Sequence, residues 1–295
     1  MTHEPKNYLI DRVERSKLEV EQHLAASYPN SSETDSQEST YEAMRYMIFL
    51  GGGGKRLRPT LTLEACRVLG GPEDSAWAYA EGVEVIHTYT LILDDIQDRS
   101  DQRRHQETCH VRFGTDTALL AAGRLYERGL APFHRFAGAD ALECRRLLDL
   151  LHRGKAADLA AETWPPAKRT ADALRFIHSG KTSALFQLAL LGGAVAANAP
   201  SEPKQALLEY GYYLGLAFQA RDDVLSSQST AESIGKPAGE GADEHKLTYP
   251  AVFGAKAMAE AHSLAQRASE SLVKSKLSGT GFFEDLARFA VTRGS

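Results

Sequence analysis

No stretch of this chain sustains the alternation of apolar and polar residues that a half-buried strand needs, and no Asn-Gly turn marks a hairpin. Apolar residues recur at helical spacing instead, over 8–26, 41–50, 59–69, 75–98, 118–136, 141–162, 171–198, 203–225, 249–272 and 282–292. Glycines 51–54, the pair Gly70–Gly71, Trp164-Pro165-Pro166 and the segment 235–241 break the pattern. The spacing predicts an all-α helical bundle. Residues 1–295 form one domain, with a polar, variable segment over about 1–40. The blocks around 76–93 and 207–220 are apolar on most faces, which places them at the centre.

Composition narrows the class. A net charge of −5, with 43% hydrophobic and 25% charged residues, describes a soluble globular chain without a basic face for nucleic acid. Cys66, Cys109 and Cys144 are odd in number and widely spaced, so neither a disulfide framework nor a zinc cluster is expected, and a reducing cytoplasm fits. Residues 1–17 are charged and lack the apolar core of a secretory signal. The longest apolar run, 188–197, is about half of a ~20-residue membrane span.

Two helix ends carry chemistry. The apolar segment from His87 runs into Asp94-Asp95-Ile96-Gln97-Asp98, where Asp94 and Asp98 share a helix face. Carboxylates at the negative end of a helix dipole call for a cation, and an oxygen-only set suits Mg²⁺. Alone, such a cluster reads as readily as a solvated helix end. A second apolar helix, however, ends in Gln219-Ala220-Arg221-Asp222-Asp223. Two such ends facing across a cavity would hold metal ions that clamp a phosphate ester.

The cations fit the same picture. Lys55 and Arg58 follow the glycine loop and share a face, while Arg56 points elsewhere. The loop lacks the Lys-Ser/Thr ending of a Walker motif. Arg103-Arg104 follow the first aspartates, and Lys181-Thr182, Lys236 and Lys246 add further charges. His87 lies about two turns before Asp94 and reads equally as a core histidine or a ligand contact. No Ser-His-Asp or Cys-His arrangement stands out.

Gly-Gly-Lys-Arg-Leu-Arg-Pro (53–59), Asp-Asp-Ile-Gln-Asp (94–98), Lys-Thr-Ser-Ala-Leu-Phe (181–186), Phe-Gln-Ala-Arg-Asp-Asp (218–223), Gly-Lys-Pro (235–237) and Lys-Leu-Thr-Tyr-Pro (246–250) occur in this order. In that order the chain resembles the trans-isoprenyl diphosphate synthases, or polyprenyl synthetases, of the short-chain farnesyl/geranylgeranyl type. The likeness spans about 41–293. It implies an isoprenoid-synthase-type bundle around a deep cavity, usually a homodimer. The implied reaction is a head-to-tail condensation of isopentenyl diphosphate with an allylic diphosphate. Lys55, Arg58, His87 and Arg104 would hold isopentenyl diphosphate. Arg103, Lys181, Thr182, Gln219, Lys236 and Lys246 would line the allylic diphosphate. Asp94, Asp98 and Asp222 would ligate Mg²⁺, three ions in all with Mn²⁺ able to substitute, supported by Asp95 and Asp223. Asp94, Asp95, Asp98, Arg103, Lys181 and Asp222 would be catalytic.

The same resemblance assigns product length to Tyr89, with Thr90 beside it. Tyr89 lies five residues, or about 7.5 Å of helix rise, before Asp94, where a large ring would stop a growing tail. That favours a C15 product, then C20, then C10. The chain departs from the family pattern at Ser226, Leu93, His105-Gln106-Glu107, Lys155 and Arg124. Three other readings compete: a class I terpene cyclase, a prenyltransferase with a different acceptor, and a weak partner subunit of a heteromer. Lys55, Arg58 and Arg104 speak against the first, because a cyclase binds no second diphosphate. The altered 104–107 region would suit the second. The intact first aspartate motif opposes the third, which Ser226 alone would favour.

Overall fold

The centre of the bundle is the helix Ala184–Ala196, which we number α9, and all of its residues except Val195 are buried. The computed structural model describes residues 5–30, 38–228, 246–275 and 277–294. Before α9 come α1 (Pro5–Ser27), α2 (Glu38–Phe49), α3 (Leu57–Val68), α4 (Trp77–Gln97), α5 (Cys109–Phe113), α6 (Thr115–Leu130), α7 (Gly138–Ala161) and α8 (Ala171–His178). After it come α10 (Ser201–Gln228), α11 (Tyr249–Phe253), α12 (Ala257–Lys274) and α13 (Gly281–Thr292).

Helix α9 packs against α3, α4, α7 and α10. It can do so on every side because it presents Leu185, Leu188, Leu190 and Leu191 around its circumference. Each such Leu, fully buried, contributes about 1.5–3 kcal/mol. Helices α4 and α10 flank it, so the two acid-tipped helices share one core. Within the polar N-terminal stretch, α1 buries Leu9 in that core, and Val20 and Leu24 in a second apolar cluster with α2 and α6.

Three blocks differ from the sequence expectation. The 171–198 block is interrupted by a π-helical turn, Ser179–Ser183, held by Ser179 Oγ donating to the Phe176 carbonyl (2.8 Å) and Ser183 Oγ to the Tyr212 carbonyl (2.8 Å). The 249–272 block kinks at Gly254, whose φ of 52° lies outside the helical region. The 118–136 block loses α-helical form after Leu130, where Ala131–Arg135 tightens into a 3₁₀ turn with Pro132 in its first turn.

A small hairpin was also missed. Gln102–Arg103 pairs antiparallel with Gln106–Glu107. Its two turn residues, Arg104 and His105, take φ of 53° and 61°. Glycine or asparagine usually fills such positions, so this turn carries no composition signal.

Candidate active site

The aspartates at the ends of α4 and α10 are each engaged by a cation or a neutral donor. Asp94 accepts from Lys155 Nζ of α7, and Asp98 accepts from Lys246 Nζ at 2.9 Å. Asp222 accepts from Arg293 Nη2, just beyond α13. Asp95 turns inward and accepts from Arg103 Nε at 2.9 Å on both oxygens, which ties the hairpin to α4. Burial pushes the Asp95 carboxyl up, opposed by Arg103. Asp223 is buried too, accepting from Gln219 Nε2 (2.9 Å) and the Tyr249 amide (2.9 Å). Burial lifts it to about 6 despite both bonds. Ser226 lies exposed near the end of α10.

Lys181 and Thr182 reach the site on the π turn. A Cβ on Gly154 of α7 would stand 2.5 Å from Gly180 Cα, and one on Gly215 of α10 would stand 2.5 Å from Ser183 Cα. Glycine at both positions lets the turn press between α7 and α10. There Lys181 Nζ donates to Asp158 at 2.7 Å, and Thr182 Oγ1 donates to Gln219 Oε1 at 2.8 Å. Burial alone would lower the Lys181 ammonium, but Asp158 and Asp94 outweigh it and hold it above the usual lysine range.

Next to these residues lies a cavity of about 580 Å³. Its rim includes the 53–58 segment, and its wall includes His87, Arg103, Arg104, Phe186 and Phe218. Arg58 is the outstanding group. Its Nε is buried with no hydrogen-bond partner, and its guanidinium lies 5.0 Å over the Phe186 ring. Burial pulls it down to about 10, with Glu84 and Asp222 offsetting only part. Burial also lowers His87 well below the ordinary histidine range, and Arg58, Arg103 and Arg104 add to that effect. The imidazole is therefore neutral near pH 7.

Arg104 Nη1 donates to the Leu50 carbonyl at 3.0 Å, folding back over the glycine loop. Gly51 has a φ of 60°, and a Cβ there would meet Arg104 Cβ at 2.6 Å. The loop therefore needs glycine for both backbone and space. Arg56 points elsewhere, as expected, and is bound at 2.6 Å to each of Glu84, Glu21 and the Ile48 carbonyl. Lys55 stands exposed at the mouth.

Lys236 lies outside the described residues. The cavity does not include Tyr89 among its lining residues. The Tyr89 hydroxyl lies 3.2 Å from His152 Nε2, and its ring packs 4.8 Å from that of Tyr126. Thr90 is buried, with Oγ1 donating to the His87 carbonyl at 2.7 Å. Of the cations lining the cavity, sequence reasoning missed two, Lys17 of α1 and Arg293. Each is a single charge near a chain end, with no local pattern to distinguish it from a solvated one.

Among the described residues, no three of His, Cys, Asp and Glu gather closely enough to hold a metal unaided. Mg²⁺ does not require that, since it takes one or two carboxylates and completes its shell with water and phosphate oxygens. Asp94 and Asp98 at the end of α4, with Asp222 at the end of α10, fit that donor set. The arrangement can bind two anionic groups beside an apolar, aromatic-walled space.

The polyprenyl synthetase family model matches residues 37–277. A geranylgeranyl diphosphate synthase of Cyanophora paradoxa is 34% identical over 281 residues, covering 90% of this chain and 90% of that protein. An FPP/GFPP synthase from Zymomonas mobilis superposes with a TM-score of 0.79 at 27% identity, over 98% of this chain and 100% of the other. A polyprenyl synthase from Caulobacter crescentus, complexed with calcium and isoprenyl diphosphate, gives 0.80 at 26% identity over 97% and 98% of the two chains.

Proposed function

The chain belongs to the polyprenyl synthetase family, and on that footing we propose that its cavity joins isopentenyl diphosphate head-to-tail to an allylic diphosphate. The single observation that carries this reading is Arg58, a guanidinium with a buried, unpartnered Nε inside a cavity bordered by acid-tipped helices. A charge held that way has an anionic partner in the working protein. With Lys55, Arg104 and neutral His87, it binds the diphosphate that does not leave. Arg103, Lys181, Thr182, Gln219 and Lys246 orient the allylic diphosphate.

Bound divalent metal, Mg²⁺ with Mn²⁺ able to replace it and three ions in the full complex, supplies charge neutralisation for the departing diphosphate. Asp94, Asp98 and Asp222 are the residues that would hold it. The allylic C–O bond breaks with its electron pair going to the diphosphate. The isopentenyl double bond then forms the new C–C bond, and a proton leaves from the adjacent carbon to the released diphosphate. Phe186 and Phe218 line the cavity with apolar surface and exclude water from the cation.

Product length has two supports that differ. Tyr89 five residues before Asp94 supports C15, and the name of the Cyanophora relative supports C20. Exposed Leu119 and Leu120 on α6 support a homodimer. Among the described residues, no helix is long and apolar enough to cross a membrane. Three buried thiols without a disulfide support a reducing compartment such as the cytoplasm.

The test is incubation with Mg²⁺, radiolabelled isopentenyl diphosphate and each allylic diphosphate in turn. Label should enter C15 or C20 products, and both excess EDTA and Asp94→Asn should cut the rate by about 10²-fold or more. Full incorporation in EDTA would refute the metal roles. Conversion of an allylic diphosphate to hydrocarbon without isopentenyl label would make the chain a cyclase.

A further inference from the structure

We propose that Lys155 is a built-in competitor for the divalent cation at Asp94, so that metal loading waits on the diphosphate. The inference rests on the metal role assigned to Asp94 above. Lys155 is 7% exposed, and its ammonium donates to Asp94 Oδ1 and, at 3.4 Å, to the Thr90 carbonyl. A buried ammonium without a carboxylate is costly, so this contact does not open for nothing. Asp158, one turn on from Lys155 along α7, is already held by Lys181 Nζ at 2.7 Å. Lys155 therefore has Asp94 as its one anionic partner among the described residues.

The neighbouring pair behaves differently. Lys246 and Asp98 are 25% and 38% exposed, so water screens their contact and a metal displaces it at little cost. At Asp94 a metal must either share the carboxylate with an ammonium or drive the ammonium off. An incoming diphosphate changes that balance, because its oxygens give Lys155 a new acceptor while Asp94 turns to the metal. Metal and diphosphate then bind cooperatively, each raising the affinity of the other by the same factor. A neutral Gln at 155 could donate the same hydrogen bond without neutralising Asp94.

The experiment measures Mn²⁺ binding by electron paramagnetic resonance, with and without saturating inorganic pyrophosphate, on the full chain. Variants are Lys155→Gln, Lys155→Met, which keeps length and packing, Lys155→Arg, and Asp94→Asn/Lys155→Gln. Without pyrophosphate, Lys155→Gln and Lys155→Met should bind Mn²⁺ at least tenfold more tightly than the parent, about 1.4 kcal/mol. Lys155→Arg should stay within a few-fold of the parent. Pyrophosphate should shrink the difference, and the double variant should lose the gain. Equal affinity of parent, Gln and Met proteins would overturn the proposal. So would a gain that survives Asp94→Asn or is untouched by pyrophosphate. Failure of the condensation reading would show separately, as absent isopentenyl incorporation whatever the Mn²⁺ result.

Discussion

Replacing Arg58 with Met separates stability from function in opposite directions. Burial pulls the Arg58 guanidinium down from its ordinary value to about 10. At 1.36 kcal/mol per pKa unit, that is about 3 kcal/mol against the charged form. The side chain as a whole is partly exposed, so solvent screening halves this to roughly 1.5 kcal/mol. Met keeps the aliphatic stem and the contact with Phe186, but loses a cation–π interaction of about 0.5–1 kcal/mol. The free protein should therefore gain about 1 kcal/mol, or about 2–4 °C in Tm. Isopentenyl diphosphate loses a charge-assisted contact in a desolvated site, so its KM should rise by roughly 10²-fold, while the allylic KM moves little. Urea titration at constant m-value gives the first quantity, and steady-state kinetics with each substrate varied gives the second. A variant destabilised by more than about 1 kcal/mol with an unchanged isopentenyl KM would show Arg58 to be a structural cation, and the binding assignment would fall.

Three further perturbations follow from the same geometry. Gly154→Ala would force a Cβ to within 2.5 Å of Gly180 Cα, costing roughly 1–3 kcal/mol and lowering kcat by displacing Lys181; unchanged melting and kcat would mean the turn yields freely. His87 stays neutral when folded, so below pH 6.5 the unfolded chain takes up a proton that the native state refuses, and stability falls as pH drops. His87→Gln should flatten that slope in urea midpoints measured from pH 7.5 to 5, and an unaltered slope would show that the acid sensitivity lies elsewhere. Tyr89→Ala should lengthen the product with geranyl or farnesyl diphosphate and excess isopentenyl diphosphate; an unchanged product in an active variant would remove Tyr89 from the control of length.

Most of the architecture was legible because helical periodicity, unlike strand pairing, is a local property. The apolar runs into Asp94 and Asp222, and the glycine loop before Lys55 and Arg58, carried enough local chemistry to mark both sides of the site. What the residues alone could not decide was pairing. Nothing near Asp94 in the chain points to Lys155 sixty-one positions away, and nothing near Asp222 points to Arg293. Asp95 and Asp98 look alike in sequence, but helix rotation turns the first into the core against Arg103 and leaves the second at the surface with Lys246. The π turn at Ser179–Ser183 was hidden for the same reason. It exists because Gly154 and Gly215 on other helices make room for it, a fact of packing rather than of local propensity. Residue type and spacing thus determined which chemistry the chain can perform. Burial, which sets the cost of every charge, determined which of those charges are already satisfied within the protein and which, like Arg58 at its Nε, are not.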